Sequence, residues 1–231
     1  MSADLPIKEF LAAEGVENWR VISDGACAFY ATTSFAEASR LASAISAIDG
    51  IEAHPPSVDI RPDGVTVRFL TKEADGYGLS QTDLDQARKV EQVATGMGFT
   101  ADPAAIQSLL VIPGAPDRAA IMPFWRAILG YEPRIDSPEE DLADPHNRDA
   151  AFWFEQMDEP RADGGGAIHL AVWVPREQAQ ARIDAALAAG GRMVRDEFAP
   201  SWWTLADQFG NEADIATVGG REAEPSESEG A

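Results

Sequence analysis

The feature that most restricts the fold is an echo inside the second half of the chain: strand, helix, glycine stop, further extended segments, met twice in succession. The first copy opens with the apolar run 107–112 (QSLLVI), continues into a helix over 117–129 (DRAAIMPFWRAIL) that retains Pro123, stops at Gly130-Tyr131, and adds the extended AAFWFEQM. The second opens with 168–174 (IHLAVWV), continues into a helix over 176–189, stops at Gly190-Gly191, and adds RMVRDEF and WWTLADQFGNEADIAT. Two βαβββ units in tandem predict one architecture built from related modules, with a site between them.

The first half follows a different order, helix–hairpin–helix–hairpin–helix. Leu5, Phe10 and Leu11 lie near one helical face over residues 4–14, before Gly15. Residues 19–32 (WRVISDGACAFYAT) read as two strand pieces broken by Asp24-Gly25, a dipeptide suited to a tight turn. Ser34 and Glu37 form a capping-box signature for a helix running to about Ile48. In SVDIRPDGVTVRFLT the alternating Val58 and Ile60, the turn Pro62-Asp63-Gly64, and the alternating Val65, Val67 and Phe69 predict a second hairpin. Ser80–Met97 carries Leu84, Ala87, Val90, Val93 and Ala94 on one helical stripe. The fold class is therefore α+β, with a first domain over 1–98, a linker over 99–106, a second domain over 107–218 and a disordered acidic tail over 219–231.

Composition removes several function classes. A single cysteine, Cys27, excludes an internal disulfide, a thiolate metal cage and a paired redox motif. With 39 acidic and 18 basic residues, the formal net charge of -21 opposes nucleic acid and anionic membrane surfaces, and no basic cluster relieves it. No apolar run reaches the roughly 18 residues of a membrane span, and no signal-like start is present, which predicts a cytoplasmic protein.

The most suggestive run in the first half is Glu52-Ala53-His54-Pro55-Pro56, where two prolines fix a histidine as a general acid or base requires. A solvent-facing loop histidine accounts for the same run. Trp19, the helix after Ser34, His54-Pro55-Pro56, Leu70-Thr71-Lys72 and Gly78-Leu79-Ser80 with Asp83 together resemble pterin-4a-carbinolamine dehydratase over about residues 1–98. The resemblance implies an acid–base dehydration of a 4a-hydroxypterin, with His54, Lys72 and Asp83 as the catalytic positions. His54 matches the first histidine of the family's His-His-Pro run. Pro55 replaces the second, and Lys72 replaces the histidine of a Thr-His pair. An aspartate near a helix start is also ordinary capping chemistry.

The helix ending ILGYE, the strand IHLAVWV and the D-x-x-G-N turn at Asp207–Asn211 resemble the glyoxalase-like branch of the vicinal oxygen chelate superfamily over about residues 105–218. That resemblance implies an open barrel of paired βαβββ modules holding a divalent metal on Gln107, Glu155, His169 and Asp214. One imidazole, two carboxylates and an amide oxygen suit Mn, Fe, Ni, Co or Zn, and a metal-free pocket of the same fold is the other expectation. Phe124, Trp125, Phe152, Trp153, Trp173, Trp202 and Trp203 supply aromatic surface for a cleft or for a core. Asp144-Pro145-His146 is a loop that gates the cleft or simply turns.

Three functional readings follow. One is a glyoxalase-like, metal-assisted lyase, isomerase or dioxygenase carrying a degenerate dehydratase domain. Another is a 4a-hydroxytetrahydrobiopterin dehydratase. The third is a non-catalytic binder of an aromatic metabolite or drug. Both family resemblances imply a homodimer.

Overall fold

A computed structural model describes residues 4–73, 76–157, 168–206 and 212–220. The chain divides into two compact units, one of residues 1–73, 77–106 and 218–231, the other of residues 74–76 and 107–217. Among the described residues no helix is long and apolar enough to cross a membrane.

In the first unit, α1 (Ile7–Ala12) precedes the hairpin of β1 (Arg20–Ile22) and β2 (Gly25–Ala31). Helix α2 (Phe35–Ser46) leads to β3 (Ser57–Arg61) and β4 (Gly64–Phe69). The short pair β5 (Thr71–Glu73) and β6 (Gly76–Gly78) then enters α3 (Gln81–Gly96), which is followed by β7 (Thr100–Ala101). The sheet runs β1-β2-β4-β3, with β7 added to β2, and its pairs are antiparallel. Alternation on β4 sends Val65, Val67 and Phe69 into a core with Trp19, Leu41, Ile45 and Val90.

Two details depart from the sequence expectation. The first turn is made by Ser23-Asp24, and Gly25 already belongs to β2, where an added Cβ would lie 3.0 Å from the backbone carbonyl oxygen of Phe69 in β4. That glycine answers a close approach between strands rather than a turn. Residues 99–106, expected as a linker, are folded: β7 pairs with β2, a 3₁₀ turn spans Pro103–Ala105, and Ile106 is buried. The sequence concealed this because a two-residue strand carries no periodicity.

The second unit shows the two modules. The first holds β8 (Ser108–Ala115), α4 (Arg118–Leu129), β9 (Glu132–Pro133), β10 (Asp141–Ala143), β11 (Ala151–Trp153) and β12 (Glu155–Gln156). The second holds β13 (Ile168–Trp173), α5 (Arg176–Ala188), β14 (Arg192–Arg195), β15 (Trp202–Ala206) and β16 (Glu212–Ala216). They merge into one open nine-stranded sheet, β14-β15-β16-β13-β8-β11-β10-β9 with β12 beside β8. The join is the antiparallel β8–β13 ladder, and each of these strands takes a parallel neighbour from its own module, β11 or β16.

Helix α4 packs on Val111, Phe152 and Phe154, and α5 on Val172, Leu205 and Ile215. The period of two along each strand therefore leaves His169, Ala171, Trp173, Asp214 and Trp153 on the opposite, helix-free face. The D-x-x-G-N turn lies outside the described residues. Val218–Gly220, at the start of the expected tail, form a 3₁₀ turn, and residues 221–231 lie outside the described residues.

Candidate functional site

Local structure places His54. Gly50, at φ 81°, starts a 3₁₀ turn over Ile51–Ala53, and the His54 amide closes it on Ile51 O at 3.1 Å. A left-handed φ is costly for residues other than glycine, so Gly50 fixes where the turn begins. The Gln86 side-chain amide donates to Gly50 O at 3.2 Å, tying this turn to α3. Pro55 and Pro56 then direct the chain into β3.

Asp83 is placed by the start of α3. Ser80 is the N-cap and Asp83 sits three residues on, making a reciprocal capping box. Ser80 N–H donates to Asp83 Oδ2 at 2.6 Å, and Ser80 Oγ contacts the same oxygen at 2.8 Å. Thr71 Oγ1 lies 2.6 Å from Asp83 Oδ2 and 2.9 Å from Ser80 Oγ. Its one proton goes to the shorter contact, the carboxylate. The other oxygen, Oδ1, lies 2.6 Å from His54 Nε2.

Asp83 is fully buried, the His54 side chain is 13% exposed, and the ring stacks over Phe69 at 6.1 Å between centroids. His54 meets both Asp83 and Thr71 through Nε2, so these contacts leave Nδ1 unused. Capping and orienting thus coincide in one residue: Asp83 both starts the helix and fixes the imidazole.

Lys72 does not join them. Strand alternation turns Thr71 inward and Lys72 outward, where the exposed ammonium lies 5.3 Å from the centre of the Tyr77 ring. Thr71 is the residue the sequence reading passed over. The signal was its position, two residues after the inward-facing Phe69 on an alternating run.

In the second unit, His169 and Asp214 meet on the helix-free face. His169 Nε2 lies 3.5 Å from Asp214 Oδ2, while Thr204 Oγ1 donates to Asp214 Oδ1 at 2.6 Å. Gln107 departs from the expected ligand set. His169 pairs with Ile112 of β8, five residues from Gln107, which at about 3.4 Å per residue puts Gln107 some 17 Å down the strand. No single ion spans that distance. Gln107 is also exposed just ahead of β8.

Glu155 shares the helix-free face through its pairing with Gly114, but on the far side of β8 from His169. Among the described residues no three His, Cys, Asp or Glu side chains converge to hold a metal ion. The residues present do not fit the four-ligand centre, because two members meet and the register separates the others.

The aromatic residues divide by strand parity. Trp125 and Phe152 belong to the core under α4 and Trp203 to the core under α5, while Trp153, Trp173 and Trp202 take the other face. The Phe124 side chain lies outside the described residues. An open groove of about 930 Å³ runs beside α4, lined by Arg118, Met122, Arg126, Tyr131 and Leu142, on the helix side of the sheet. His146 belongs to a turn organised by Asp144, whose carboxylate accepts from the amides of His146 and Arg148 at 3.0 and 2.8 Å. The Arg148 guanidinium, with those amides, holds the Asp144 carboxyl well below the usual carboxylate range.

Residues 4–93 match the family model of pterin 4 alpha carbinolamine dehydratase, and residues 110–216 match that of the glyoxalase-like domain. The chain joins a dehydratase-type domain to a glyoxalase-like domain. No curated protein matches it. At family level this pair of domains supports a small-molecule enzyme. In the dehydratase-type domain, the positions brought together are His54, Asp83 and Thr71; in the glyoxalase-like domain they are His169, Asp214 and Thr204.

Proposed function

We propose that the dehydratase-type domain performs acid–base elimination of water from a cyclic carbinolamine of the 4a-hydroxytetrahydropterin class, with His54 as the proton-transfer group. The observation that carries this reading is the 2.6 Å contact from His54 Nε2 to the buried Asp83 carboxylate. A carboxylate behind one ring nitrogen fixes the tautomer and orientation and stabilises the ring when it is protonated, as in other carboxylate–imidazole pairs.

The reaction breaks the C4a–O bond and the N5–H bond and forms C4a=N5. Protonated His54 delivers the Nδ1 proton to the departing hydroxyl, which leaves as water; the N5 proton passes to solvent, and His54 regains a proton from solvent. Asp83 remains an acceptor throughout, held by Thr71 and Ser80. One imidazole thus serves where the family uses three, and Lys72, pointing away, takes no part. The test is direct: wild-type protein accelerates loss of the 4a-hydroxyl from freshly generated 4a-hydroxytetrahydropterin, and His54→Ala abolishes the acceleration. A wild-type rate equal to the spontaneous one overturns the proposal.

A further inference from the structure

Helix α3 holds the segment that carries His54 at three points. Asp83, Gln86 and Lys89 follow one another at three-residue spacing, which makes them neighbours on the helix surface. Asp83 meets the His54 ring at 2.6 Å, the Gln86 side-chain amide donates to Gly50 O at 3.2 Å, and the Lys89 ammonium donates to Asp49 O at 3.0 Å. The segment therefore runs back along the helix, with the imidazole at one end and two backbone carbonyls at the other.

The middle contact is the unusual one. Gln86 is 5% exposed, and its Oε1 is buried without a hydrogen-bond partner among the described residues. An unsatisfied buried carbonyl is costly, and the other side chains that α3 buries include Leu84, Ala87, Val90 and Ala94. An apolar side chain of the same length would serve the packing as well. The acceptor does not require the amide either, because Gly50 O already takes the Ala53 N–H at 3.3 Å. What the Gln86 amide adds is a fixed point on the turn.

That turn sets where His54 stands. A single 3₁₀ turn has poor hydrogen-bond geometry, and this one is closed only by Ala53 N–H to Gly50 O and by His54 N–H to Ile51 O at 3.1 Å. Pro55 and Pro56 follow, and neither has an N–H to tie the chain down beyond the histidine. Rotation of the turn carries the ring away from Asp83, and a 2.6 Å contact tolerates little displacement. Lys89 is no substitute, since it is exposed and its bond to Asp49 O competes with water.

We propose that Gln86 is a positioning residue for His54: its amide, by holding Gly50 O, fixes the 3₁₀ turn and keeps the imidazole Nε2 on Asp83. The consequence for turnover rests on the dehydratase reading, whereas the placement of the ring does not.

The experiment records nitrogen NMR of the full chain labelled in its histidine rings, in mildly alkaline buffer without substrate, and His54→Ala assigns the signals among the three histidines. Wild-type His54 shows one tautomer, with the proton on Nε2, as the carboxylate behind that nitrogen dictates. Gln86→Met averages the two tautomers and draws the two ring-nitrogen shifts together. Its urea midpoint stays at or above the wild-type value, because the unpartnered oxygen leaves with the amide. Lys89→Met, which removes the exposed contact, leaves the His54 signals as in wild type. With the carbinolamine, Gln86→Met lowers kcat by about tenfold and leaves KM unchanged. Averaged tautomers already in the wild type, unaltered His54 signals in Gln86→Met, the same averaging in Lys89→Met, or a lowered urea midpoint in Gln86→Met overturns the proposal. A wild-type protein that does not accelerate dehydration overturns the functional reading alone, since the tautomer signature is read without substrate.

Discussion

Each half of the molecule carries a histidine, an aspartate and a threonine in contact, and the two sets are built to different tightness. In the dehydratase-type half, Asp83 receives Thr71, both groups of Ser80, and His54 at 2.6 Å, all within one capped helix start. In the glyoxalase-like half, Asp214 receives Thr204 and stands 3.5 Å from His169, on a sheet face without a helix end to supply further donors. The first aspartate is saturated and holds its histidine in one orientation. The second is held by one hydroxyl and a longer contact to its histidine. The same three residue types are therefore held at different tightness, according to how many donors the fold brings near the carboxylate.

The comparison breaks most visibly in activity. His54→Ala lowers kcat for the carbinolamine by about 10²–10⁴-fold, the usual contribution of a positioned acid–base group, while Lys72→Met leaves it unchanged. A loss on Lys72→Met equal to that on His54→Ala contradicts the outward placement of the ammonium.

Stability provides the next contrast. Asp83→Ala strands an imidazole and buried hydroxyl and amide donors, and destabilises the first unit by about 3–5 kcal/mol; Asp214→Ala costs the second about 1–3 kcal/mol, because fewer donors lose a partner. Urea unfolding measures both, and Cys27 reports on the first unit: burial pushes its thiol up to about 11, so a thiol reagent at pH 8 labels it only when that unit opens. Equal losses in the two halves erase the distinction. Thr71→Val and Thr204→Val sharpen it at smaller scale. Each removes one hydrogen bond to a carboxylate, about 1.5–3 kcal/mol, but only Thr71→Val also lowers carbinolamine turnover.

The smallest effect concerns acid. Asp144 in the second unit is lowered from its ordinary 3.8, so the unfolded chain takes the proton first and the unfolding free energy falls as pH drops below that value. Asp144→Asn flattens this acid limb of the second unit's unfolding curve and leaves that of the first unit unaltered, as pH-jump unfolding measures.

Much of the local structure was legible in the chain. The strand–helix–glycine echo predicted the related modules of the second unit. Alternation through Val65, Val67 and Phe69 predicted the buried face of β4, and Ser80 with Asp83 carried a helix-start pattern. All these signals repeat within a few residues, and the physics that reads them, hydrophobic period and helix capping, is equally short-range.

The candidate sites were only half legible because they depend on register. His54 and Asp83 are 29 residues apart, and no local pattern brings them to 2.6 Å. The choice of Thr71 over Lys72 turned on the parity of a three-residue strand. Gln107 lost its place because the β8–β13 ladder sets Ile112, not Gln107, opposite His169. Sequence by itself determined which elements form and which faces are apolar, since those follow from nearest neighbours along the chain. Tertiary structure alone decided which polar side chains share a site, because a shift of one pair in a ladder moves a side chain to the opposite face and several pairs move it beyond reach.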